Sequence, residues 1–290
     1  MLRRFSRLSF LSQVCSGRGV FFVVIEDKGT VEMYETVKRA NPAPPKLLNT
    51  FEVGPLPQFL LPNKNCDIIA VGKANQGKGL ASGGVTFIRN PMGDDAKVTS
   101  VQLEEEDGWD DAYMLKRGLH MPLSLGALEY WDTLSPMADE LDFSHIRENY
   151  KSAIFLEPKF MAWSGPDESE LLVNLQENNG LMRIDVATSK PLSVASYGLK
   201  DYSEVSVNIN ANDKTCVTRT YESLFAMRNP DSIATVRYND KVYVITANEG
   251  SYKKYGGFTD RYKAKKLFDV SIPSEQRDRS LSSQTPCLTL

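Results

Sequence analysis

Acidic and amide side chains stand at the ends of apolar runs that share one pattern. Glu157 stands just before one run, and Glu177 and Asn178 follow the next. Asn248 and Glu249 end another run much further along the chain. Calcium takes six to eight oxygen ligands, and carboxylates and amides supply them. If the fold gathers these five residues at one place, they would form a calcium site.

Two simpler explanations stay open for these residues. Asn and acidic side chains at the ends of strands often form turns that only satisfy their own backbone. In addition, Lys159 lies two residues after Glu157 and would supply positive charge internally, in place of an ion. The sequence alone does not choose between a cation, a turn and an internal ion pair.

The apolar runs themselves are too short for stable helices. Residues 160–164, 170–175 and 181–186 are five to six residues long, partly β-branched or aromatic, and separated by Gly, Pro, Asp and Asn. Runs of this kind bounded by turn residues are typical of antiparallel strands. We therefore predict three consecutive antiparallel strands in this stretch.

The same pattern of a proline, a turn and an asparagine returns elsewhere. Pro57 is followed by Asn75 and Pro230 by Asn248, an interval of 18 residues in both copies. A shorter copy at Phe22 supplies only the last two strands of such a unit. Repeated units of short antiparallel strands indicate an all-β fold, and specifically a β-propeller built from four-stranded blades. A β-sandwich is the competing architecture, but it gives no reason for the pattern to return.

The chain divides into three predicted parts. Residues 21–270 form the propeller, with a partly helical insertion at about 101–150 in which Ser135 is a possible N-cap. The first 20 residues are basic, and we favour a poorly ordered terminus over a presequence of mitochondrial type. The tail 271–290 is rich in serine and polar, which predicts disorder. The acidic cluster of the insertion reads as a solvated face: Glu104, Glu105, Glu106, Asp107, Asp110 and Asp111.

Composition excludes several classes of function. The chain has 290 residues with a net charge of -3, so general attraction to nucleic acid is not expected. No apolar run is long enough for a transmembrane helix. The four cysteines form no C-x-x-C pair; Cys66 and Cys216 could pair, although we favour free, buried thiols. Neither His120 nor His145 lies in a nucleophile-elbow setting.

Several motifs, taken in order, resemble one known family. The stretch from Leu156 to Pro191, "YGLKDYS" from Tyr197, the stretch from Asn229 to Gly250 and "YGGFTDRYKAKKLFD" from Tyr255 are similar to the choice-of-anchor I family. That family includes mesenchyme-specific cell-surface glycoproteins linked to biomineralisation. The resemblance runs from about Phe22 to Asp269 and implies an extracellular or surface-anchored, YVTN-like propeller without an established catalytic mechanism.

The chain departs from the family pattern at three positions that bear on a site. Lys159 stands where the family has an acid, Tyr202 where it has a histidine, and Ser251 where it has an aspartate. Family propellers are also longer, so the resemblance implies a truncated or incomplete ring. Missing blades would leave unpaired sheet edges, and self-association through those edges is expected.

Two classes of function follow from the resemblance. The first is a non-enzymatic, extracellular or cell-surface binding module whose partner is calcium, extracellular matrix, mineral or another surface ligand. The second is a metal-dependent phosphoester hydrolase, since some bacterial relatives carry alkaline-phosphatase labels. The scarcity of histidine and the loss of potential ligands favour the binding module.

Overall fold

Short antiparallel strands, each ended by turn residues, build this molecule. The computed structural model describes residues 12–37, 40, 43–73, 83–101, 103, 108–127, 148, 150–208, 217–255 and 258–261. Three four-stranded sheets and three two-stranded sheets are formed there. The four-stranded sheets and the two-stranded sheet of residues 230–238 and 241–248 are blades of a β-propeller, and we call them blades 1 to 4 in chain order.

Each of the first three blades runs antiparallel from an inner strand to an exposed outer strand. Blade 1 contains β1 (Ser12–Cys15), β2 (Val20–Ile25), β3 (Thr30–Glu35) and β4 (Leu47–Glu52). Blade 2 contains β5 (Pro57–Pro62), β6 (Ile68–Lys73), β7 (Gly84–Arg89) and β8 (Lys97–Ser100). Blade 3 contains β9 (Pro158–Ser164), β10 (Glu170–Leu175), β11 (Gly180–Asp185) and β12 (Lys190–Ser196).

Blade 4 contains two strands, β15 (Pro230–Tyr238) and β16 (Lys241–Asn248). Two short hairpins flank it, formed by β13 (Leu199–Asp201) with β14 (Phe225–Met227) and by β17 (Lys254–Tyr255) with β18 (Phe258–Thr259). Asn239 and Asp240 close the β15–β16 hairpin in the left-handed region, with φ of 48° and 58°. Two such residues in succession make the type I′ turn that matches the twist of paired strands.

The predicted equivalence of the three prolines is confirmed by the strand register, whereas Asn75, which ends the Pro57 copy, lies outside the described residues. Pro57, Pro158 and Pro230 each begin the inner strand of their blade and pair with Lys73, Leu175 and Asn248 respectively. In all three blades the register shifts just beside this pair, as at a β-bulge. Proline has no N–H to give to a ladder, so the first residue of a strand beside a bulge suits it.

Apolar side chains between the blades form the core. Phe22, Val24 and Met33 of blade 1 pack with Ile69 and Ile88 of blade 2. A larger cluster joins blades 2 and 3 to the insertion, and a small one joins Ala162 and Leu172 of blade 3 to Ile233 of blade 4. Inner strands of successive blades are in contact throughout, from β1 to β5, β9 and β15. This arrangement places the starts of the inner strands at one end of the molecule.

Two sequence expectations about the first blade are corrected by the structure. The copy at Phe22 has four strands instead of two, since β2 and β3 lie between β1 and β4. Strand β1 begins at Ser12, so part of the stretch assigned to a poorly ordered terminus pairs with β2. A strand of only four residues has too little alternation to be recognised in the sequence. Residues 1–11 and 271–290 lie outside the described residues.

The cysteine expectation is also corrected. Cys15 forms a disulfide with Cys66, at a Cα–Cα distance of 6.1 Å. Cys66 is therefore neither a free thiol nor a partner of Cys216, and the bond ties blade 1 to the β5–β6 turn of blade 2. The two cysteines are 51 residues apart in sequence, so only the packing of one blade on the next brings them together. Cys216 and Cys287 lie outside the described residues.

The insertion is partly helical, as predicted. Helix α1 (Asp111–Lys116) begins after Asp110, whose carboxylate accepts a hydrogen bond from Tyr113 N at 2.8 Å. Asp111 accepts hydrogen bonds from Ser152 Oγ and Leu125 N, both at 2.7 Å. Asp110 is exposed, as the solvated face predicts, whereas Asp111 is partly buried and holds the helix to the segments of Leu125 and Ser152. The predicted N-cap Ser135 and Glu104 to Asp107 lie outside the described residues. No described helix is long and apolar enough to cross a bilayer.

Candidate functional site

The antiparallel pairing within each blade explains why distant acids meet. The start of an inner strand lies beside the end of its neighbour, as Pro158 lies opposite Leu175 and Pro230 opposite Asn248. Residues just before the prolines and just after the second strands therefore gather at one end of blades 3 and 4. We call this group the carboxylate cluster, which consists of Glu157, Glu177, Asp231 and Glu249 with the lysines Lys159 and Lys253.

Glu157 is buried against a lysine that lies 96 residues later in the chain. Lys253 has no exposed surface, and its ammonium contacts the Glu157 carboxylate and donates to Phe155 O at 2.8 Å. Burial raises the pKa of Glu157, and the nearby Lys253 ammonium opposes that shift. Burial lowers the pKa of Lys253, against the attraction of Glu157. Each charge is retained in the interior because the other compensates it.

Glu177 is compensated by a different lysine. Its Oε1 lies 2.7 Å from Lys159 Nζ and accepts a hydrogen bond from Ser251 Oγ at 3.1 Å. Glu177 is 5% exposed, whereas the Lys159 side chain is 27% exposed. The internal ion pair that the sequence left open is therefore present in the structure.

Three buried oxygen atoms of this region have no hydrogen-bond partner among the described residues. They are Gln176 Oε1, Glu177 Oε2 and Asn229 Oδ1. Asn229 is linked to Glu177 through Ser251, since Asn229 Nδ2 donates to Ser251 O at 3.0 Å. A buried acceptor without a donor costs about 1–3 kcal/mol, so such atoms mark a place where water or a ligand supplies donors or positive charge.

Two acids of the cluster reach solvent. Glu249 is exposed, and its Oε2 lies 3.4 Å from Gln176 Nε2. Partial burial, followed by repulsion from Glu249 and Glu177, raises the pKa of Asp231, and Lys159 opposes that shift. Four carboxylates against two ammonium groups leave a formal charge of -2 when all are ionised. Negative charge is therefore in excess on the solvent side of the cluster.

The two predicted amide ligands have different surroundings. Asn178 is fully buried; its Nδ2 donates to His120 O and Phe155 O, both at 3.1 Å, and its Oδ1 accepts from Glu157 N at 3.2 Å. It joins the insertion to blade 3. Asn248 is exposed at the end of β16. Of the five predicted ligands, the structure thus brings Glu157, Glu177 and Glu249 into one cluster.

A histidine and an aspartate secure the segment that carries Lys253. Asp260 Oδ1 accepts a hydrogen bond from Lys253 N, and its Oδ2 lies next to His120 Nε2, both at 2.7 Å. His120 N in turn donates to Asn178 O at 2.8 Å. The insertion, blade 3 and the segment after β16 therefore meet behind the cluster and hold Lys253 in place.

Sequence reasoning missed Asp231, Asn229 and Lys253. The repeat contained a signal for the first two. Asp231 follows Pro230 at the position that Lys159 has after Pro158. Asn229 precedes Pro230 at the position that Glu157 has before Pro158. Lys253 lies outside the repeat and carries no such signal. Among the described residues, no three His, Cys, Asp or Glu side chains are placed to hold a metal ion. The calcium site stays a prediction, which the two lysines make less favourable.

Comparisons with known proteins found similar solved structures and one matching family model. Solved structures that resemble the chain include a COPII coat protein from "COPII on membranes, outer coat vertex", with a TM-score of 0.39, 11% identity, and coverage of 79% of this chain and 40% of that chain. The Cps50 (Swd1) β-propeller domain of Myceliophteria thermophila has a TM-score of 0.36 and 7% identity, with coverage of 66% of this chain and 41% of that one.

A third similar structure is the periplasmic gluconolactonase PpgL of Pseudomonas aeruginosa, with a TM-score of 0.34 and 13% identity. Coverage is 65% of this chain and 39% of that chain. The chain thus spans about two fifths of the length of each of these three structures. No curated protein sequence matches it. The model of the choice-of-anchor I domain matches residues 14–285, which is most of the sequence, and the chain therefore belongs to the choice-of-anchor I domain family.

Proposed function

We propose that this chain is a non-enzymatic, surface-associated binding module whose carboxylate cluster holds a cationic group of its ligand. Membership of the choice-of-anchor I family supports the first part, because it favours a surface or extracellular module. The observation that carries the second part is the excess of carboxylates over lysines, with Asp231 and Glu249 on the solvent side. A ligand presenting arginine or lysine side chains fits that charge, and a guanidinium can bind a carboxylate through two hydrogen bonds.

Calcium, alone or in a mineral surface, is the second candidate, because the sequence predicts it. The three buried oxygens without partners support this candidate, since oxygen is the ligand that calcium prefers. Against it, calcium would have to displace Lys159 from Glu177 at 2.7 Å. We therefore place an organic cation first. For the phosphoester hydrolase, the described residues offer no supporting arrangement of ligands.

One set of titrations tests this proposal. A hexa-arginine peptide is titrated into the protein by calorimetry at low salt, and a hexa-citrulline peptide serves as the neutral isostere. We expect binding of the first peptide only, weakened several-fold by Glu249→Gln and by raising the salt concentration, because exposed charges are screened. Glu35→Gln removes an exposed charge from blade 1 and is the matched control.

The same samples are titrated with calcium chloride and assayed with a phosphoester substrate. Equal binding of the two peptides, or no loss of affinity in Glu249→Gln, would rule out recognition of a cation by this cluster. Heat from calcium but not from the peptide would favour the calcium candidate. Turnover of the phosphoester that responds to Glu177→Gln would replace the binding module with the hydrolase.

A further inference from the structure

Lys253 and Glu157 form the most deeply buried ion pair among the described residues. Lys253 has no exposed surface, and Glu157 is 4% exposed. Lys253 Nζ contacts Glu157 Oε1 and donates to Phe155 O at 2.8 Å. Phe155 and Leu156, which precede Glu157 in the chain, are buried apolar residues. The amine and the carboxyl group therefore meet at a place from which bulk water is excluded.

Both partners of this ion pair are also held at the backbone. Glu157 N donates to Asn178 Oδ1 at 3.2 Å, and Lys253 N donates to Asp260 Oδ1 at 2.7 Å. The hydrogen bond from Lys253 Nζ to Phe155 O fixes the far end of the lysine side chain. Groups that are held in contact react as if they were at very high concentration, because folding has already supplied the entropy of bringing them together. A reaction between the two groups is therefore strongly favoured over the same reaction in solution.

Burial also favours the uncharged forms of these two groups. It is costly to hold an ion away from water, and transfer of one proton from the ammonium to the carboxylate leaves a neutral amine and a neutral carboxylic acid. A lysine that is uncharged in an apolar site is a nucleophile. The pair of Lys253 and Glu157 therefore holds the two reactants of amide formation in contact.

A third acid is held near the pair. Ser251, two residues before Lys253, donates through Oγ to Glu177 Oε1 at 3.1 Å. Lys159, two residues after Glu157, lies with its Nζ 2.7 Å from the same oxygen. The other carboxylate oxygen, Glu177 Oε2, is buried and has no hydrogen-bond partner among the described residues. It is a free proton acceptor, and proton transfer by a positioned carboxylate is a common means of catalysis.

We propose that Lys253 and Glu157 condense to form an intramolecular isopeptide bond. The lone pair of the neutral Nζ attacks Glu157 Cδ and forms a C–N bond, and Glu177 takes a proton from Nζ and passes it to the hydroxyl that leaves. The C–O bond breaks and one water departs. Relative to the ion pair, the nitrogen gives up two protons, and both leave with the oxygen, so no oxidant or second substrate is needed. The product is a neutral amide whose N–H is placed to donate to Phe155 O.

The bond would join the residue before β9 to the segment after β16, across 96 positions of the chain. Because thiols do not reduce an amide, this link between blade 3 and the segment after blade 4 would persist where the disulfide between blades 1 and 2 is opened. The neighbouring pair of Lys159 and Glu177 is not expected to condense, since the Lys159 side chain is 27% exposed and its ammonium stays hydrated. That pair supplies a control within the same cluster.

The test is the mass of the full chain, measured by mass spectrometry in denaturant after reduction of the disulfide. We expect a mass that is lower than that of the sequence by one water, and a single cross-linked tryptic peptide that contains both Glu157 and Lys253. Lys253→Arg keeps the charge and the hydrogen-bond donors but has no nucleophilic amine, so its mass should equal that of its sequence. Lys159→Arg is the matched control and should lose one water as the parent does.

The mass of the parent decides the proposal. A parent that keeps the full mass of its sequence after prolonged incubation in the folded state would overturn it. A loss of water that persists in Lys253→Arg would also overturn it, since that water comes from another place in the chain. Glu177→Gln should slow the appearance of the cross-link by about a hundredfold, as loss of a general base does; an unchanged rate would remove Glu177 from the step. Melting curves verify that each variant is folded.

Discussion

Replacing Lys159 by glutamate should make the protein depend on calcium. The change removes the ammonium that lies 2.7 Å from Glu177 Oε1 and puts a second carboxylate there. Two like charges about 4 Å apart repel by roughly 4 kcal/mol at an effective dielectric constant of 20. Removing one partner of a largely buried ion pair by itself lowers the free energy of unfolding by about 3–5 kcal/mol. We expect Lys159→Glu to lower the free energy of unfolding by at least about 3 kcal/mol.

Calcium should restore much of this loss by binding between the two carboxylates. A ligand at 100 times its dissociation constant stabilises the folded state by about 2.7 kcal/mol. For a chain of 290 residues, each kcal/mol corresponds to roughly 2–4 °C in melting temperature, so the rise should be about 5–11 °C. The parent should show no rise, because its lysine already supplies the positive charge.

The assay is a thermal melt with excess EDTA or with millimolar calcium, for the parent, Lys159→Glu and a control. Lys97→Glu makes the same charge change on an outer strand, where its neighbour across the sheet is Arg89, and it should respond to calcium as the parent does. A parent that is stabilised by calcium, and loses that response in Glu177→Gln, would refute the internal ion pair and establish the calcium site. Absence of any calcium effect in Lys159→Glu would leave this cluster without a metal role.

Three further results are expected. Glu157→Gln and Lys253→Met should each lower the free energy of unfolding, measured in urea, by about 3–5 kcal/mol. The double variant should lower it by less than the sum of the two, since it leaves no unpaired buried charge. Additive losses would contradict a coupled pair. Cys15→Ser, Cys66→Ser and their double variant should each lower the free energy of unfolding by the same amount, roughly 4 kcal/mol, because each opens a loop closed by a disulfide between residues 51 positions apart. A double variant that is much less stable than either single variant would argue against the disulfide. The pKa of Asp231 is raised in the folded state, so its contribution to stability is full below its unfolded pKa and is lost as pH rises through its folded pKa. The Asp231→Asn variant should therefore have a higher melting temperature than the parent at pH 7 and no higher one at pH 3.5. An equal difference in melting temperature at both pH values would exclude this ionisation as the cause.

Much of the fold could be predicted from the sequence because its determinants are local. The strands of blade 3 followed from short apolar runs bounded by turn residues, and the structure places β9, β10 and β11 there. A repeated interval predicts the equivalence of Pro57 and Pro230, and the shared order of proline, turn and strand adds Pro158. The three residues occupy the same place in their blades. Strand β1 was missed because four residues carry too little alternation to stand out.

The site was predictable only in part, because its charge balance depends on contacts between distant segments. The repeat pointed to Glu157, Glu177 and Glu249. Each of them lies close to an inner-strand proline or to the residue that pairs with that proline, and these positions are at the same end of adjacent blades. The compensation of Glu157 came from Lys253, which follows β16 and is held by Asp260 and His120 through contacts that no local pattern encodes.

The type of strand, the repeated unit and the position of Glu157, Glu177 and Glu249 at one end of blades 3 and 4 could be predicted, because they depend on period, turn residues and the register of neighbouring strands. The compensation of these charges and the pairing of the cysteines depend on contacts between distant segments. Ion pairs form within about 4 Å, and a disulfide requires Cα atoms about 6 Å apart. Glu157 and Lys253 are 96 positions apart and Cys15 and Cys66 are 51 positions apart, so the packing of distant segments fixes both distances.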